Sequence, residues 1–266
     1  MHVRKGIIAV LLVATFGGGL VFVVRQYGER LNEDKVFEPA IALPVVVEKH
    51  IIADEPSVVI EKMPDARGAI EPKSWSQVFF TSQAPMGEWM KSEFQNGCEE
   101  ASALMVYAWR SGKTYTKEEV RQELIAMARY QEEKIGQGVD TDVETTATIL
   151  LKGYFDISDY RTAYDFTLDE LKSTLAGGLV IVPTNGQALS NPNFTRPGPL
   201  QHMLVVTGYD AVTKEFITND PGTRKGAGYR YPEAVLYAAI REYPTGKHLP
   251  IETERKAMIV ISSPVS

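Results

Sequence analysis

Near its start the chain has a long apolar run without a charged residue: residues 6–24 (GIIAVLLVATFGGGLVFVV). As a helix rising about 1.5 Å per residue, such a run nearly spans the ~30 Å hydrocarbon layer of a bilayer. It has no polar face, which argues against a helix buried in a globular core. Arg4 and Lys5 precede it and Arg25 follows it, and basic residues ahead of a span favour an inside N-terminus. No clear small-x-small cleavage site follows, which favours an uncleaved anchor over a removed signal peptide. Either reading exports the rest of the chain. Residues 26–75 then break into short β-branched runs among Pro39, Pro44, Pro56, Pro64 and Pro72. They read as a stalk with one or two extended segments.

From residue 76 the pattern tightens. In CEEASALMVYAWR, beginning at Cys98, apolar residues recur at Ala101, Leu104, Met105 and Ala108, the spacing of a helix with one buried face. Three Thr residues follow, each with Glu three positions on: Thr116/Glu119, Thr141/Glu144 and Thr167/Glu170. Each pair has the form of a capping box and predicts a helix, over 117–134, 142–153 and 168–176. Gly177 and Gly178 close the last one. Strand-like runs come next: LVIVP at 179–183, HMLVVTGY at 202–209 and EFITN at 215–219, the last two flanking a turn. Residues 229–231 suit another strand, Pro232 suits a helix start before 233–242, and AMIVIS at 257–262 suits a final strand. Helices first and strands later predict an α+β domain over 76–266, after the anchor (1–25) and the stalk (26–75).

Charge sharpens this division. The chain has 28 Lys+Arg and 34 Asp+Glu, a net charge of −6. The first 25 residues hold three basic and no acidic residues, so the exported part carries −9. That balance argues against a nucleic-acid partner and leaves the apolar run, not charge attraction, to hold the chain at a membrane. A single cysteine among 266 residues excludes an internal disulfide, a Cys-rich zinc site and an iron–sulfur cluster within one chain. No cofactor motif is present: there is no Walker loop, no His-Glu-x-x-His helix and no Gly-x-Ser-x-Gly elbow.

Cys98 follows Gly97 at the start of the apolar-faced helix. Free N–H groups and partial positive charge at a helix N-terminus favour thiolate, the nucleophilic form; Glu99 and Glu100 oppose this if they point at the sulfur. Of four histidines, His2 lies on the far side of the anchor, His50 in the stalk, and His248 after a Pro-Thr-Gly-Lys turn. His202 opens an apolar strand that would fix its direction, as a general base requires. Asp220, across the expected hairpin, could orient the imidazole, with Asn219 sent to the opposite face by alternation. Either Gln83 or Gln95 could donate to an oxyanion together with the Cys98 N–H. Taken singly, each has an ordinary explanation: a buried structural Cys, a strand-end His, a turn-forming Asp before Pro-Gly, a surface Gln.

Together, the segments FTSQAPMGEW, GCEEASALMVYAW, PGPLQHMLVVTGYD and FITNDPGT resemble, in order, the papain-like cysteine peptidases related to the bacteriocin-processing double-glycine peptidases, the C39-like peptidases of bacteria. The resemblance covers roughly 76–245. It implies a papain-like fold and hydrolysis of peptide or protein amide bonds without a cofactor. It further implies Cys98 as nucleophile, His202 as general base and acid, Asp220 as its orienting residue, and Gln83, by its FTSQAP context, as oxyanion donor. ABC-transporter segments are absent, so specificity for double-glycine leaders does not carry over. A peptidoglycan amidase or endopeptidase of the same clan, and a catalytically inactive peptide-binding domain, share these features.

Overall fold

A computed structural model describes residues 12–16, 19–23, 78–136, 140–246 and 248–263. The chain divides into two units, Met1–Met63 and Pro64–Ser266. In the first, β1 (Leu12–Phe16) pairs antiparallel with β2 (Gly19–Val23). Where the sequence predicts a spanning helix over 6–24, the described residues are thus strands, built from branched and aromatic residues that favour extended backbone. Among the described residues no helix is long and apolar enough to cross a membrane. The expected stalk over 26–75 lies outside the described residues.

The second unit opens with helices α1 (Ser92–Gln95), α2 (Cys98–Ser111), α3 (Lys117–Ile135) and α4 (Val143–Thr146), the last running on as a π-helical stretch, Ala147–Tyr154. After β3 (Tyr160–Tyr164) and α5 (Leu168–Thr174) come β4 (Gly178–Thr184), β5 (His202–Asp210), β6 (Glu215–Asn219) and β7 (Tyr229–Pro232). Helix α6 (Glu233–Ala239) and β8 (Ala257–Ser262) complete it. Six strands form one antiparallel sheet in the order β3-β8-β4-β5-β6-β7. The α+β arrangement expected from the element order, with helices packed on an antiparallel sheet, is present.

Strand alternation divides the interior in two. Leu179, Ile181, Met203, Val205, Ile259 and Ile261 point to a core shared with α2, α3 and the π-helical stretch. Val180, Val182, Leu204, Val206, Met258 and Val260 point to a second core shared with α5 and α6. The central strands are covered on both sides, which is why their sequences are unbroken apolar runs. Helix α2 lies against β5 and is buried almost all round: Cys98 through Val106 are all below the surface, more than the one face its spacing predicts. Leu104 and Met105, each fully buried, contribute about 1.5–3 kcal/mol apiece by leaving water.

Two of the three predicted capping boxes form. Thr116 and Glu119 exchange bonds, as do Thr167 and Glu170. At the third, the cap is Asp142, not Thr141: the Asp142 carboxylate accepts from Thr145 N–H at 2.7 Å. A carboxylate one residue on outcompetes the hydroxyl for the helix start, and the Thr141 hydroxyl pairs with that of Thr146 at 2.7 Å instead. The helix expected over 142–153 becomes one α turn and a π stretch, and the one expected to reach 176 ends at Thr174.

Candidate active site

The first residue of α2 is Cys98, and Gly97 lets the helix begin there: a Cβ at 97 would lie 2.7 Å from the Glu93 carbonyl oxygen. The thiol opens onto a cleft of about 240 Å³ whose walls include Gln83, His202, Asp140 and His248. His202 is the first residue of β5, and its backbone pairs with Thr184 of β4. Its ring meets Phe194 edge-on at 5.3 Å between centroids. Gly222 lies against the same ring; a Cβ there would come within 2.8 Å of His202 Cε1 and 2.9 Å of Phe194 Cε1.

His202 Nε2 lies 2.8 Å from Asp220 Oδ1, with both side chains buried. With Nε2 on the carboxylate, Nδ1 is the ring nitrogen left for other work. Asp220 follows β6 and is fully buried. Oδ1 also accepts from Gly222 N–H at 2.9 Å, and Oδ2 accepts from Tyr231 Oη–H at 2.6 Å. Asn191 donates to Tyr231 Oη at 2.7 Å. Burial pushes the Asp220 carboxyl up, but the His202 charge and these hydrogen bonds outweigh it and hold the group below its ordinary value. Asn219 faces the other way, as alternation predicts, donating to the Val78 and Phe79 carbonyls and accepting from Gly228 N–H.

Gln83 is tied to the Asp220 loop, its backbone N–H donating to Pro221 O at 2.9 Å. Its amide Nε2 donates to Phe94 O at 2.9 Å and Gln95 O at 3.0 Å, leaving Oε1 buried without a partner among the described residues. The structure thus brings Gln83, Cys98 and His202 to one cleft with Asp220 behind the imidazole, while the Gln83 amide hydrogens point at backbone carbonyls. The thiol hydrogen bond goes to neither His202 nor Gln83. Cys98 Sγ donates to Glu99 Oε2 at 3.0 Å. Burial first, then the Glu99 and Asp140 charges, push the thiol well above its ordinary value.

Residues 76–245 match the model of the Peptidase_C39 like family. The chain belongs to this family. It is therefore a cysteine-type peptidase, as the resemblance implied, and all four residues picked out from the sequence lie inside the matched segment. No curated protein matches the chain.

Around this C39-like peptidase cleft the structure adds groups that sequence reasoning did not single out. Asp140 pairs with His248 Nδ1 at 2.6 Å, and that bond raises the imidazole above its ordinary value. In the sequence His248 is marked only by the Pro-Thr-Gly-Lys turn before it. Tyr231 and Asn191 hold Asp220, and Tyr243 and Thr141 hold Glu99. Cys98, Glu99 and Asp140 each bring one possible metal-ligating atom to within 4.8 Å of the others, but all three already share hydrogen bonds with the protein. A single sequence gives no local signal for these partners, since most join residues far apart in the chain.

Proposed function

We propose that this peptidase cleaves amide bonds through Cys98, His202 and Asp220, with Gln83 and the Cys98 N–H receiving the oxyanion. The observation that carries this reading is the buried His202–Asp220 pair, 2.8 Å apart, opening into the same cleft as a thiol at a helix N-terminus. His202 takes the thiol proton and the sulfur bonds to the scissile carbonyl carbon. The C–N bond then breaks, and His202 returns the proton to the leaving amine. Water next gives a proton to His202 and its hydroxide to the acyl carbon, and the sulfur departs. Asp220 keeps the imidazole in one tautomer and supports its charged form. For Gln83 to serve the oxyanion, one amide hydrogen leaves Phe94 O or Gln95 O when substrate enters.

The charge-free run at 6–24, preceded by Arg4 and Lys5, supports export of the catalytic domain and its tethering to the cell membrane. Peptide or protein is the substrate class. The test is turnover of a peptide library and of muropeptides by the full chain. Cys98→Ala should lower cleavage at least about a thousandfold. Turnover that survives Cys98→Ala refutes the mechanism, and release of muropeptides alone moves the substrate to the cell wall.

A further inference from the structure

One carboxylate in direct contact with the thiol has no part in that reaction. Glu99 is fully buried, with no exposed surface. Its Oε2 accepts from Cys98 Sγ at 3.0 Å, and its Oε1 accepts from Tyr243 Oη–H at 2.8 Å and Thr141 N–H at 3.2 Å. Three separate parts of the chain therefore fix it against the sulfur. Among the described residues none of its partners is a lysine or arginine, and its carboxylate is held by hydrogen-bond donors, one of them the thiol. A glutamate in the first turn of a helix ordinarily reaches water or caps the helix; this one is turned into the cleft wall.

We propose that Glu99 is a positioning residue that holds the Cys98 proton in the free enzyme, in competition with His202, so that the nucleophile is freed only when this hydrogen bond is displaced. The proposal rests on Cys98 being the nucleophile. An S–H···carboxylate bond stabilises thiol over thiolate, because ionising the sulfur would set two anions about 3 Å apart in a water-poor wall. The groups facing the pair reinforce this. Asp140, held by His248, adds a further anion, while Glu100 on the same turn lines a different cleft. Tyr243 contributes a neutral donor, and the His202–Asp220 pair stands in the same cleft. Burial and Asp140 push Glu99 itself up to about 7. As pH falls through that value Glu99 takes a proton, the restraint on the thiol loses its charge, and the acid O–H can donate to sulfur instead.

Because the chain has one cysteine, the rate of iodoacetamide alkylation against pH reports the Cys98 thiolate alone in the full-length protein. Glu99→Gln keeps the size and hydrogen-bonding capacity but removes the charge. It should lower the apparent thiol pKa by at least about one unit and raise alkylation about tenfold at about pH 9, where wild-type Glu99 is ionised. An unchanged or higher apparent pKa overturns the proposal. Should Glu99→Gln fail to fold, Tyr243→Phe supplies the second arm, read above about pH 9, where Glu99 is ionised in both proteins: it removes a donor from the carboxylate, strengthens its hold on the thiol proton and should slow alkylation, whereas faster or equal alkylation there overturns the proposal. Alkylation needs no substrate. A failure of the peptidase reading shows as turnover surviving Cys98→Ala, a result independent of either arm.

Discussion

Tyr231→Phe isolates the charge held behind His202. Tyr231 is buried on β7 and its hydroxyl sits 2.6 Å from Asp220 Oδ2. The substitution keeps the ring, which packs against Tyr229 at 4.7 Å between centroids, and deletes one donor to a buried carboxylate. A hydrogen bond to a charged group contributes about 1.5–3 kcal/mol. Asn191 Nδ2, already 3.5 Å from the same oxygen, can move in and recover roughly 1 kcal/mol as a neutral donor. The net loss at neutral pH is then about 0.5–2 kcal/mol. Oδ1 keeps both His202 and Gly222 N–H, so turnover should fall by no more than about tenfold, the equivalent of 1.4 kcal/mol.

The pH dependence of this loss is diagnostic. Asp220 is held below its ordinary carboxylate value, in part by the Tyr231 bond. Its stabilising contribution is therefore present above the unfolded value of about 4 and is lost as pH falls through the folded value. The gap between wild type and Tyr231→Phe should be widest at pH 7 and should narrow as pH falls below about 4 toward the folded value of Asp220. Urea unfolding at pH 7 and pH 3 measures it. A gap of equal size at both values, or none at pH 7, refutes the claim that Tyr231 serves the Asp220 charge and would make its role one of packing alone.

Gly222→Ala places a methyl 2.8 Å from His202 Cε1 and 2.9 Å from Phe194 Cε1; because a misplacement of about 1 Å can cost a hundredfold in rate, kcat/KM should fall by about that factor, and a wild-type value would mean the ring is not held there. Asp142→Ala removes the cap on Thr145 N–H and should cost about 1 kcal/mol in chemical denaturation, while Asp142→Asn, an equally good cap, should be close to neutral.

Local signals made much of the domain readable. The runs 215–219 and 257–262 are strands with those limits, and both Thr/Glu boxes with no competing acceptor formed. Features set by distant packing were not readable. β3 (YRTAY) is an edge strand with Arg161 exposed and no fully buried residue, so it lacks the apolar run that marks its neighbours. The π-helical stretch has the composition of an α-helix, and only its hydrogen bonds, such as Phe155 N–H to Leu150 O, set it apart. At the candidate site, Gln83, Cys98, His202 and Asp220 stand out in the sequence only through the resemblance of four segments taken in order, because each residue alone has an ordinary explanation. Whether the glutamates beside Cys98 would face the sulfur was left open by the sequence, and the answer depends on distant residues: Thr141 and Tyr243, 42 and 144 positions from Glu99, aim one of the two at the thiol.

That difference has a physical source in the layout of the fold. Cys98 comes from the helical side of the sheet, where α2 lies against β5, while Phe194 and Tyr231, which brace His202 and Asp220, belong to the core on the other side. The Cys98 thiol and the His202 imidazole thus line one cleft, each supported by a different core. A change confined to one core, such as Tyr231→Phe, therefore acts on the imidazole without touching the thiol. Glu99, Tyr243 and Asp140 act on the thiol from its own side. Among the described residues the hydrogen bonds that hold Glu99 and those that hold Asp220 share no partner, so Glu99→Gln and Tyr231→Phe should combine additively in stability.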